Sequence, residues 1–98
     1  MTKSEQIKTI RAHYDKEMDK LAEKYKVHSR EGMPQIYLYI TEDWETNKAS
    51  VLINWGSCGS QSIEYTIKFQ QYIKEVIELA NAARLELIQI KAYLPTTD

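Results

Sequence analysis

Ninety-eight residues are enough for one domain, residues 1–98, and leave no room for a second core. Apolar residues at 43% and charged residues at 28% give the balance of an ordinary globular protein and exclude a chain too poor in apolar groups to fold. A formal net charge of −1 excludes the basic excess of a general nucleic-acid binder and the strong acidity of a DNA mimic.

Cys58 is the only cysteine, so no internal disulfide can form and an oxidising compartment is not expected to have shaped the fold. Met1 to Gln6 lead into a charged amphipathic segment rather than a hydrophobic signal core. No apolar run approaches the ~20 residues needed to span a bilayer. The expected location is cytoplasmic.

The first element is a helix. Thr2 followed by Glu5 fits a capping box. Ile7, Ile10, Tyr14, Met18, Leu21 and Tyr25 recur at spacings of three and four, with Lys16, Glu17, Lys20, Glu23 and Lys24 opposite. Lys16–Asp19, Glu17–Lys20 and Lys20–Glu23 are spaced to pair along this helix. Its end is expected between Lys26 and Glu31, with Gly32 as the closing residue and Pro34 preventing a restart.

A β-hairpin follows. Gln35–Thr41 alternates, with Ile36, Leu38 and Ile40 on one face and Tyr37 and Tyr39 on the other. Ala49–Trp55 alternates too, setting Val51, Ile53 and Trp55 against Leu52 and Asn54. The intervening 42–48 segment is polar, and Asn47 suits its turn. Gly56 to Ser60 ends the second strand.

The last element is read as one long helix from about Ser62 to about Leu94, closed by Pro95. Phe69, Ile73, Val76, Ala80, Ala83, Leu87, Ile90 and Leu94 form its stripe. The alternative is a short third strand at about 62–69 before a helix starting near Gln70. The fold class is therefore α+β in the order helix–strand–strand–helix, with two long amphipathic helices packed on a hairpin.

A lone hairpin is marginal in water and must pack on helices. That leaves Tyr37, Tyr39 and Leu52 on an uncovered face, and a helix of some thirty residues, about 45 Å long, overhangs strands half that length. A homodimer is the expected use of these surfaces. A compact monomer with helices covering both sheet faces is the alternative.

Candidate sites are few. The strand-to-helix turn bearing Ser57, Gly59, Ser60 and Ser62 could hold an anion on free amides, although it lacks the P-loop lysine and the dinucleotide glycine pattern. Cys58 beside a helix N-terminus could be a nucleophile, but Glu64 stands where a phosphatase arginine belongs and Ser60 where a nucleophile elbow needs glycine. His13 and Glu17 are two metal ligands without a third, and His28 suits a helix C-terminus. Trp44, between acidic neighbours in the hairpin loop, is the expected anchor for a partner with a basic surface.

No cofactor or metal is implied and no enzyme is expected. The expected function is a small non-enzymatic binding protein acting through Trp44, Tyr37 and Tyr39 and the exposed part of the last helix. Its partners are a second copy and an unidentified protein, with no general nucleic-acid or membrane binding. Small size suggests a phage or mobile-element modulator of host machinery. The alternatives are a binder of small anionic or nucleotide-like ligands, and a thiol-dependent enzyme using Cys58.

Overall fold

Thr2 begins the first helix, α1 (Lys3–Lys24), by holding an extended backbone while its hydroxyl accepts the Glu5 N–H at 3.2 Å. The computed structural model describes residues 2–27, 35–55 and 67–95. Ile7, Tyr14, Leu21 and Tyr25 are buried along one stripe of α1, with Ile10 and Met18 half-buried beside them. Of the three expected ion pairs along this helix, Lys20–Glu17 is formed, at 3.3 Å. Exposure of the lysine limits its worth to a few tenths of a kcal/mol.

Strands β1 (Ile36–Asp43) and β2 (Lys48–Trp55) form a two-stranded antiparallel sheet without a bulge, Ile36 opposite Trp55 and Asp43 opposite Lys48. The alternation has the expected consequence. Ile36, Leu38, Ile40 and Val51 are buried, whereas Tyr37, Tyr39 and Leu52 face outward. Each strand reaches further into the loop than the apolar pattern indicates. The turn is confined to Trp44–Asn47, where the Asp43 carboxylate accepts the Glu45 N–H at 3.0 Å and Asn47 takes a left-handed conformation, φ 57.

The second helix, α2 (Ile67–Gln89), buries Phe69, Tyr72, Val76, Ala80, Ala83 and Leu87. Residues 67–70 are helical, so a strand does not continue through Phe69; residues 62–66 lie outside the described part. The helix also ends before the expected Leu94. Lys91 turns left-handed, φ 57, its N–H bonding Ile88 C=O at 3.0 Å while the Ala92 N–H bonds Leu87 C=O at 2.8 Å. The chain then runs alongside β2, with Ala49 N–H bonding Ala92 C=O at 2.7 Å and Leu94 N–H bonding Ala49 C=O at 2.9 Å.

The same Schellman geometry ends α1. Lys26 is left-handed, φ 52, with Lys26 N–H to Glu23 C=O at 3.2 Å and Val27 N–H to Ala22 C=O at 3.0 Å. The helix thus ends at Lys24, before the expected span, and Lys26 is its left-handed closing residue. Gly32 and Pro34 fall outside the described residues.

Both helices pack on the inner face of the hairpin, α1 chiefly under β1 and α2 chiefly under β2, and they touch each other. One end of the core gathers Ile7, Tyr14, Leu38, Ile40 and Leu87, the other Leu21, Tyr25, Ile36 and Phe69; Met18, Ile53 and Leu79 border both. Ala49, Ala80, Ala83 and Ala92 are fully buried, and their small side chains let the backbones approach. Burying each of Ile7, Ile36, Val51 and Leu87 is worth about 1.5–3 kcal/mol. Among the described residues no helix packs on the outer face of the sheet.

Candidate functional site

The outward face of the hairpin follows directly from its register. Tyr39 lies opposite Leu52, Tyr37 opposite Asn54 and Thr41 opposite Ser50. Tyr37 and Tyr39 are two residues apart on one strand and therefore share a face; their rings lie 5.9 Å apart and within 7° of parallel. They are 36% and 46% exposed, Leu52 is 42% exposed, and Trp44 at the turn is 80% exposed. Two phenols and an isobutyl group thus lie toward solvent on the outer face of the sheet, and the indole is exposed at its turn end. Each aromatic ring offers a broad apolar area with a hydrogen-bonding tip, the combination that anchors protein interfaces.

The last helix adds a second apolar surface. Ile67, Ile77, Leu85 and Ile88 are exposed along α2. Ile77 also borders an apolar notch of about 120 Å³ formed with Ile36, Ile53, Ile73 and Val76. These residues flank the buried stripe of α2 rather than belonging to it.

The free edges of the sheet can be assigned residue by residue. Ala49 turns its N–H and C=O away from β1, toward the C-terminal segment. Pairing alternates along an antiparallel ladder, so opposite Ala49 the Glu42 backbone also points outward, and so do Ile40, Leu38 and Ile36. Ile36 confirms the phase. Its N–H donates to the Tyr72 hydroxyl at 3.1 Å, and that hydroxyl lies 3.4 Å from Ile36 C=O. Tyr72 thus closes the edge at Ile36, and the C-terminal segment covers β2 at Ala49, where the Ser50 hydroxyl also donates to Leu94 C=O at 2.9 Å. Among the described residues nothing pairs with the outward groups of Leu38, Ile40 and Glu42.

Beside this open stretch runs a groove of about 570 Å³ between β1 and α1, with Arg11 and Asp15 on the helix side and Trp44 at one end. Sequence patterning did not mark Arg11 or Asp15. They sit four apart on the flank of the α1 stripe, and only the packing of α1 under β1 gives that flank a neighbour.

The strongest electrostatic cluster is elsewhere, between the ends of the helices. Lys24 Nζ lies 3.0 Å from Glu75 Oε1 and 5.2 Å from the centre of the Tyr25 ring, and the Tyr25 hydroxyl donates to Glu75. The tyrosine hydrogen bond, then the lysine, hold the Glu75 carboxyl below its usual range; the same contacts hold Tyr25 and Lys24 above theirs. Tyr14 is pushed up by burial and by the neighbouring Glu86 carboxylate. Both clusters brace α1 against α2, and neither touches the tyrosine face.

His13 packs edge-on against Tyr14, 4.9 Å between ring centres, and is exposed on α1. Among the described residues no three His, Cys, Asp or Glu side chains are placed to hold a metal ion. The turn of Ser57, Gly59, Ser60 and Ser62, together with Cys58 and His28, lies outside the described residues. No described helix is long and apolar enough to cross a membrane. Compared with protein-family models, curated proteins and solved structures, the chain matches none of them.

Proposed function

We propose that this chain is a small non-enzymatic binding protein that works through protein–protein contacts and self-associates as a homodimer. The observation that carries this reading is the outer face of the hairpin, covered by no described helix, with Tyr37 stacked on Tyr39, Leu52 beside them and Trp44 at the turn. A domain this small gains from covering such a face, and a second copy related by a two-fold axis brings the same apolar patch to meet it. A net charge of −1 puts little repulsion in the way. Exposed Ile77, Leu85 and Ile88 on α2 extend the apolar surface open to a foreign partner.

Native mass spectrometry across a concentration series, with the Tyr37→Ser/Tyr39→Ser variant alongside, tests this reading. The expected result is a dimer at micromolar concentration and at least about tenfold weaker association in the variant, equivalent to about 1.4 kcal/mol, with unchanged circular dichroism. A monomer at every concentration ends the homodimer reading. A constant added mass on the protein replaces it with that of a small-ligand binder.

A further inference from the structure

We propose that the open edge of β1 is a docking site for an extended, basic peptide segment of a partner protein, which adds to the hairpin as a third strand. The inference extends the reading of this chain as a binding protein but uses the edge of β1 and the groove beside it, which borders the tyrosine face at Tyr39 and Trp44.

Three observations define the site. Leu38, Ile40 and Glu42 each turn outward an N–H and C=O that no described residue pairs with, spaced two residues apart as an added strand requires. The strand Ile36–Asp43 contains no proline, lysine or bulge to guard its edge, and its only charged residues, Glu42 and Asp43, lie at the turn end. The groove alongside is about 570 Å³, open to solvent and floored by α1.

The width of the helices decides the occupant. An α-helix with its side chains is about 10 Å across, whereas strands are spaced about 4.8 Å. Two helices side by side under two strands must therefore overhang both edges, and α1 overhangs β1. A second copy pairing edge to edge would bring its own α1 into the space that the first α1 fills. A bare extended segment, with no helix beneath it, fits where a second copy does not.

Charge selects the sequence of that segment. Arg11 and Asp15 line the helix side of the groove and Glu42 its strand side, and Asp43 and Glu45 flank Trp44 at its end. The lining is net acidic, so alternating basic and apolar side chains complement it, an apolar one meeting Trp44.

Titrating isotope-labelled protein with a capped hexapeptide of alternating Lys and Val, followed by amide NMR, tests the proposal. Shifts and slowed hydrogen exchange are expected at the amides of Leu38, Ile40 and Glu42. A Glu/Val peptide should bind at least tenfold more weakly, and alternate N-methylation of the Lys/Val peptide should abolish binding. Asp15→Lys, on an exposed helix position, should weaken the Lys/Val peptide at least threefold with the spectrum otherwise retained. No response at these three amides up to millimolar peptide overturns the site, and equal binding of the acidic peptide overturns its charge preference. Tyr37→Ser separates this from the preceding reading, because Tyr37 does not line the groove: dimer loss with peptide binding intact upholds the groove alone. Concentration-dependent protection of the three amides without peptide would assign the edge to a second copy and end the proposal.

Discussion

Lys26 and Lys91 each occupy the left-handed backbone region that glycine reaches without steric cost. Each is the turning residue of a Schellman ending whose next residue, Val27 or Ala92, points back into the core. A lysine side chain held there meets its own backbone, a strain of about 1–2 kcal/mol that glycine lacks, partly offset by the greater entropy glycine loses. Lys91→Gly is therefore expected to stabilise the protein by about 0.5–1 kcal/mol. A urea titration checks this: the midpoint should rise with the slope unchanged. These endings were illegible in the sequence because the usual signal, a glycine, is missing from both. Asn47 is the contrasting residue, a left-handed turn position readable from residue type alone.

At the scale of elements, alternation located β1 and β2 because one face is buried and one is wet, and nothing else in a two-stranded sheet competes with that pattern. The helical stripes were legible for the same reason, with period 3.6 in place of 2. The end of α2 was not, since Ile90 and Leu94 prolong the stripe while the backbone leaves it to bond with Ala49. What holds the sheet to α2 was likewise hidden. Tyr72 is fully buried and its single hydroxyl satisfies the edge backbone of Ile36. Removing that hydroxyl leaves a buried N–H without its acceptor, so Tyr72→Phe is expected to cost about 1–3 kcal/mol. Calorimetry on the variant would show it, together with faster exchange of the Ile36 amide than of its neighbours. Unchanged exchange there would remove Tyr72 as the lock on this edge.

For the molecule as a whole, the shifted groups define a window of pH stability. Glu75 titrates below its ordinary 4.5 in the folded protein, so its contribution is present above that value and lost as pH falls through the lower folded one. Tyr25 and Tyr72 titrate above their ordinary 10.0, and their contribution is complete below that value and lost as pH rises through the higher folded ones. Stability should therefore be level from about pH 5 to about pH 9 and fall on both sides. Thermal melts across pH would show the window, and Glu75→Gln should flatten its acid limb and weaken the Tyr25 part of the alkaline limb, leaving the part that burial of Tyr72 supplies.

Periodicity by itself determined the order of elements, most of the residues each would bury, though not Tyr72, and the tyrosine pair on the outer face, because a side chain's direction in a strand or helix is set by local geometry. It also singled out Trp44, an indole placed among charges. Only the tertiary structure decided which edges of the sheet are closed, that Tyr72 and the C-terminal segment close them, and that Arg11 and Asp15 face the stretch left open. Those depend on which elements lie side by side and how wide they are, and neither property is local to any stretch of the chain.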